Sequence, residues 1–214
     1  MRKILLFSIA GLLIVSYAVS AQKDIQLPDP KIRGGLMKAL KNRATYRSFS
    51  TRDLPMQLLS EVLWAAYGIN TPTGRRTVGT AFNTREMHIY VLTKDGSFLF
   101  DADKQKLVMI TAEDTRGIVA TQDYVKNVPV QLIYVADHGA MRRQLSDRWN
   151  GNMEHYSTIH TGQIAQNVYL YCASKNLGTV LREPGNKEEL AGKLKLGDDC
   201  MIMGAQCIGY PGSK

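Results

Sequence analysis

The sequence predicts one α+β domain with a central mixed or antiparallel sheet flanked by helices. Three observations carry that prediction. Short apolar runs of strand length recur at 87–92, 98–100, 107–110, 129–136, 178–181 and 201–208. Longer stretches with apolar residues at helical spacing lie before, between and after them, most clearly at 58–66 and 158–176. No internal repeat or linker divides the chain, and 214 residues suit a single core.

Arg2 and Lys3 open the chain, an almost wholly apolar stretch follows at 4–19, and Val19-Ser20-Ala21 supplies small residues at its end. Charged start, apolar middle and small-residue finish are the pattern of a secretory signal peptide. The expectation is a signal over 1–21, a domain over 22–214, export to the periplasm and no membrane attachment after cleavage. The apolar stretch is short for a bilayer span, which needs about 20 residues.

Pro28 and Pro30 mark an extended lead-in, and residues 35–42 read as a short helix with Leu36, Met37 and Leu40 on one face. Asp53-Leu54-Pro55 opens a stronger helix, with Asp53 as its expected cap and Gly68 at its C-cap. Residues 69–86 are rich in Thr, Gly, Asn and Arg and read as a long loop, a length that often signals function. After the strand at 87–92, residues 98–100 and 107–110 form a hairpin around 101–106. A helix is expected over 113–127, a buried strand over 129–136 and a polar helical stretch over 139–150. The long helix of 158–176 carries Ile164, Val168 and Cys172 on one side. A strand from Gly178, a helix at 187–195 capped by Asn186, and a last strand complete the domain.

Composition removes several functions. The chain is 44% hydrophobic with Lys+Arg 27 against Asp+Glu 19, so it is neither disordered nor low-complexity. Its formal charge of +8, which becomes +6 without Arg2 and Lys3, favours anionic ligands. Basic residues are scattered rather than grouped with aromatics, which argues against nucleic acid. Cys172, Cys200 and Cys207 are an odd set without a C-x-x-C, so at least one thiol is unpaired. His138, His155 and His160 lack the i,i+4 spacing of a helical metal pair, and no metal is expected. No nucleophile elbow, phosphate-binding loop or G-x-G-x-x-G occurs.

Three segments remain. Arg43-Ala44-Thr45-Tyr46-Arg47-Ser48-Phe49 places two guanidiniums four residues apart, a set able to grip a phosphate or an electron-rich ring edge. Arg76-Thr77-Val78-Gly79-Thr80-Ala81-Phe82-Asn83 is small and polar inside the long loop. Thr161-Gly162, Gln166-Asn167 and Asn176-Leu177-Gly178-Thr179-Val180 join a long helix to a glycine turn and a strand.

Together with Leu63-Trp64-Ala65-Ala66-Tyr67-Gly68-Ile69-Asn70 and Ile208-Gly209-Tyr210-Pro211, and in this order from Arg43 to Pro211, these segments resemble the FMN-dependent nitroreductase family, and within it the SagB-type and deiodinase-like relatives. The resemblance implies a nitroreductase-like α+β fold and a homodimer with FMN at the subunit interface. It places Arg43 on the FMN phosphate and ribityl chain, with Ala44 and Thr45 beside it, Thr45 replacing a more usual Ser. It places Arg47 near flavin N1 and the C2 carbonyl, where a fixed cation stabilises the reduced flavin. Thr80 and Asn83 stand where the family reaches the flavin, the Asn from the partner subunit, and Phe82 and Arg85 stand where Gly and Gln are common. Thr161 and Gly162 align with a backbone turn facing flavin N5. Arg182 and Lys214 are further phosphate candidates. No side chain serves as general acid. The implied activity is ping-pong transfer from a small donor, NAD(P)H or another, to a nitroaromatic, quinone or similar acceptor. A SagB-like dehydrogenase, a reductive dehalogenase and a non-catalytic flavin-binding protein are the alternatives. Tyr124, Trp149 and Tyr156 are candidate lid aromatics, with 137–158 expected to set specificity.

Overall fold

In the computed structural model, residues 28–126, 128–145 and 151–212 are described. The signal segment 1–21, Trp149 and Lys214 lie outside them. From Ile32 on, the chain forms one unit. Its elements in order are α1 (Gly34–Asn42), α2 (Met56–Tyr67), β1 (Met87–Thr93), β2 (Gly96–Asp101), β3 (Lys106–Thr111), α3 (Asp123–Lys126), β4 (Val130–Asp137), α4 (His138–Gln144), α5 (Met153–Ser174), β5 (Gly178–Arg182), α6 (Lys187–Lys193) and β6 (Cys200–Gly209). No helix among the described residues is long and apolar enough to cross a membrane.

The six strands run in the order β3-β2-β1-β4-β6-β5, and every pairing is antiparallel. This resolves the mixed-or-antiparallel expectation. Strand β4 is buried from Val130 through Ala136, which is why it reads as a continuous apolar run. Alternate residues serve two layers. Leu132 and Tyr134, with Ile89 and Val91 of β1, pack against α2 and α5. Ile133 and Val135, with Leu92, pack against Leu190 of α6 and Leu194. The sheet is therefore covered on both faces, and α5 lies along one of them.

A buried polar chain ties the layers. Tyr134 donates to Gln206 Oε1 at 2.5 Å, and Gln206 Nε2 donates to Thr179 Oγ1 at 3.0 Å and to the Ala165 carbonyl at 3.4 Å. Burial drives the Tyr134 hydroxyl well above the usual tyrosine range, so it remains a donor.

Several element boundaries differ from expectation for physical reasons. Asp53 does not cap α2: Pro55 occupies the N-cap, and the Asp53 carboxylate is bound by Lys94 at 2.6 Å. Gly68 is the C-cap, but its φ of −72° is ordinary. Glycine is needed there because a Cβ would come within 2.7 Å of the Trp64 backbone. The helix expected over 113–127 shrinks to four residues. Thr115 is drawn to Ser97 by a buried 2.7 Å hydroxyl bond, and Val119 O accepts from Gly185 N, so tertiary bonds replace the helical ladder. Helix α5 starts at Met153, five residues earlier than expected, because the Asn152 side chain caps it on His155 N at 3.1 Å. Helices α4 and α6 end at Gln144 and Lys193. All three cysteines are free thiols, with Cys172 in the core as expected.

Candidate functional site

Helix α5 is the spine on which the candidate residues are arranged. Toward its C-terminal end it presents Tyr169. The segment leaving α1 runs beside it and is held by backbone bonds: Tyr46 N to Thr179 O at 3.0 Å, Ser50 N to Tyr210 O at 2.9 Å and Gly212 N to Ser48 O at 2.9 Å. Gly178 lacks a Cβ where one would sit 3.1 Å from Tyr46, so the tyrosine can lie over the start of β5. The Arg43 guanidinium lies 5.3 Å from the Tyr169 ring centroid, and Thr45 Oγ1 is 3.3 Å from the Tyr169 hydroxyl, which also accepts from Leu181 N at 3.0 Å. Ala44, Thr45 and Arg47 are exposed, and among the described residues their backbone N–H groups have no partner. Arg47 acts on Tyr124, whose ring stacks on Phe49 at 6.2 Å. Arg43, Ala44, Thr45 and Arg47 thus form one cationic, donor-rich segment.

Toward its N-terminal half α5 presents a different chemistry, which the sequence reading missed. Ala81 N donates to His160 Nε2 at 2.9 Å. That bond leaves the proton on Nδ1, which donates to Glu86 Oε1 at 2.5 Å. Glu86 also accepts from Thr84 Oγ1 at 2.6 Å and Ser157 Oγ at 3.5 Å. Its side chain is 0% exposed. Burial works against the carboxylate, but the bonds from His160 and Thr84 outweigh it and hold its pKa below the usual range. The result clamps the loop that carries Thr80 and Asn83. Within that loop Phe82, Asn83 and Arg85 all take φ between 52° and 56°, a strained conformation for side chains of this size. Arg85 reinforces it through its own N–H to Thr80 Oγ1 at 3.0 Å. Phe82 meets Tyr156 edge-on at 6.2 Å, beside the His160 ring.

The two groups are not joined within one chain. His160 and Tyr169 are nine residues apart on α5, a separation of about 13 Å. Thr80 and Asn83 line a cleft of about 500 Å³, while Ala44 lines another of about 260 Å³ with Tyr46, Tyr169 and Thr179. Gly162 lines a third, of about 550 Å³, with Gln163 and Gln166.

Two expectations are corrected. Thr161 and Gly162 do not form a backbone turn: both sit inside the 22-residue helix α5, where their N–H groups belong to the helical ladder. Thr161 is buried, and its hydroxyl bonds back to Ser157 O at 2.7 Å. Arg182 is committed inside the fold. Its Nη1 donates to Val119 O at 2.7 Å and Glu183 O at 3.1 Å, its Nη2 to Gln131 Oε1 at 2.8 Å and its Nε to Cys207 Sγ at 3.4 Å. It serves as a bracket between β5, β4 and the 115–120 turns.

The architecture has known counterparts. The nitroreductase family model matches residues 40–210. The chain belongs to the nitroreductase family. A candidate nitroreductase of Methanocaldococcus jannaschii is 32% identical over 168 residues, covering 73% of this chain and 82% of its own. The crystal structure of a candidate nitroreductase from Ralstonia eutropha JMP134 superposes with a TM-score of 0.76 at 34% identity, covering 88% of this chain and 89% of that one. Nitroreductase A of Vibrio parahaemolyticus shares the fold, with a TM-score of 0.59 at 16% identity over 85% of this chain and 70% of its own. Nitroreductase-family proteins are oxidoreductases, generally dependent on a flavin and commonly homodimeric. The donor set of residues 43–47 fits a flavin nucleotide. It offers two guanidiniums and, among the described residues, the unpartnered N–H groups of Ala44, Thr45 and Arg47 to a phosphate, and it is exposed enough to receive one.

Proposed function

We propose that this nitroreductase-family chain is an exported, FMN-dependent oxidoreductase. It passes two electrons by a ping-pong route from a small donor to a nitroaromatic, quinone or similar acceptor. The observation that carries the reading is the cationic segment at 43–47, with its open backbone donors, beside Tyr169. When bound, FMN would supply the hydride chemistry.

This chain's own residues supply binding and charge. Arg43, stacked on Tyr169, would hold the phosphate, with Ala44 and Thr45 N–H groups adding hydrogen bonds. Arg47 offers a planar guanidinium that would stabilise negative charge on the reduced ring. The His160–Glu86 clamp fixes the Thr80–Asn83 side of the site. Because the two groups are separate within one chain, the reading includes a homodimer in which one subunit offers 43–47 and the other the 80–85 loop.

Purified protein incubated with FMN should turn yellow, and anaerobic NADH or NADPH should bleach it. Protein that stays colourless and leaves flavin fluorescence unquenched refutes the reading; bound flavin that neither nicotinamide bleaches assigns the donor elsewhere. Mass spectrometry of the mature chain tests export, with a new N-terminus after Ala21 expected.

A further inference from the structure

The long loop holds a second cationic cleft that the 43–47 segment does not explain. It lies beyond the end of α2 and has a volume of about 500 Å³. Arg75, Arg76 and Arg85 line it together with Tyr67, Thr80 and Asn83, and no carboxylate is among its lining residues. The turn that builds it is specific: Gly74 takes φ +78°, its N–H bonds to Thr71 O at 3.0 Å, and its carbonyl accepts from Arg85 Nη2 at 3.2 Å. Arg76 crosses the Tyr67 ring at 4.8 Å and donates to the Tyr67 carbonyl at 3.2 Å, with only 13% of its side chain exposed. Asp103, 66% exposed and 3.5 Å from Arg76 Nη2, offsets one of the three charges.

Two donors on these residues are buried without a partner among the described residues: the Tyr67 hydroxyl and Arg76 Nε. Tyr67 is 3% exposed. Thr80 acts on its hydroxyl from outside hydrogen-bond geometry. Burial outweighs the pull of Arg76 and pushes the phenol up to about 12, so it is a donor throughout the physiological range. Buried donors normally find acceptors. Three guanidiniums around one cavity, with Arg76 Nε and the phenol still without acceptors among the described residues, match the oxygens of a dianion.

We propose that this cleft is a phosphate-monoester subsite. The ester oxygens are held by Arg75, Arg76, Arg85 and the Tyr67 hydroxyl, and the body of the ligand extends past Thr80 and Asn83. The bearer of that phosphate is a reactant of the oxidoreductase, since the single phosphate of FMN is assigned above to the 43–47 segment; the identity of the bearer rests on that reading, and the anion site does not.

The test uses the full mature chain and inorganic phosphate as probe, followed by thermal shift and calorimetry against chloride and acetate at matched ionic strength. Saturable stabilisation by phosphate alone is expected. Tyr67→Phe removes the hydroxyl and keeps the ring under Arg76, and Arg75→Gln touches only an exposed side chain. Each should weaken phosphate binding about tenfold, as loss of a bond to a charged acceptor does. FMN and riboflavin then check the bearer. If the variants weaken FMN and spare riboflavin, the flavin carries the phosphate, which overturns both the reactant assignment and the placing of the FMN phosphate on Arg43. If phosphate still binds the FMN-loaded protein and FMN affinity is unchanged, a reactant carries it. Phosphate no better than chloride or acetate, or variants that bind it like the wild type, overturns the proposal. Tyr67-dependent phosphate binding in a chain that takes neither flavin supports the subsite and refutes the FMN reading.

Discussion

Replacing His160 by Ala should be among the most damaging single changes in this protein, and the structure says why. Glu86 is 0% exposed and its strongest partner is His160 Nδ1 at 2.5 Å. Without the imidazole, Thr84 and the long contact to Ser157 remain, and a buried carboxylate loses its main donor. Leaving a buried carboxylate without its main donor costs about 3–5 kcal/mol, a large share of the roughly 5–15 kcal/mol that keeps a domain folded. The pH dependence carries the sign. In the native protein Glu86 titrates below its ordinary value of 4.5, so its contribution is present above that pH and is lost as pH falls through the folded value. In His160→Ala burial dominates and the folded value rises above 4.5. The variant's deficit is then greatest near neutrality and shrinks on acidification. Urea unfolding at pH 7 and at pH 4.5 measures both. His160→Asn is the control: its amide N–H occupies the Nδ1 position and can still serve Glu86, but nothing accepts from Ala81 N. It should stay folded while exchanging the Ala81 amide faster and binding FMN more weakly. A deficit under about 1 kcal/mol, or one that widens toward pH 4.5, would refute this account of the clamp.

Three further outcomes follow from the same geometry. Arg47→Ala should weaken flavin binding or slow flavin reduction with little loss of stability, since the side chain is exposed; unchanged fluorescence titrations and stopped-flow traces would remove Arg47 from the site. Arg182→Ala should lower stability by about 2–4 kcal/mol in denaturant melts, through the donors it gives to Val119, Gln131 and Cys207, while FMN affinity holds. Gly68→Ala should cost about 1–3 kcal/mol by forcing a Cβ against Trp64, read as a drop in the thermal midpoint.

Most of the sheet was legible because its strands obey simple patterns. Strand β4 is buried on both faces, and β2 and β3 are two short apolar runs on either side of the turn at 102–105. Boundaries failed where a side chain preferred a distant partner: Asp53 chose Lys94 over the α2 cap, and Thr115 chose Ser97 over a helix. The 43–47 segment was legible as chemistry, since of its two arginines at fixed spacing Arg47 is exposed and Arg43 only half-buried in the fold. Glu86 was not, because a carboxylate inside a Thr-, Asn- and Arg-rich stretch reads as surface. Its partner lies 74 residues away. The one cue was His160 standing among the buried positions of α5.

That helix explains both the success and the miss. Its buried face changes character along its length. Ser157, His160 and Thr161 are buried in the first half, and Ile164, Ala165, Val168 and Cys172 in the second. A search for apolar periodicity finds the second half alone and places the helix start too late. The first half is buried against polar groups, and burial without apolar content is costly unless the groups are bonded. Each of the three is: Ser157 to Glu86, His160 to Glu86 and Ala81, Thr161 to Ser157 O. The core half holds α5 on the sheet, and the polar half fixes a strained loop that apolar packing has no means to hold. In the proposed homodimer, two chemically different ends, about 13 Å apart on one rigid helix, would let a second copy complete a site that a single chain leaves open.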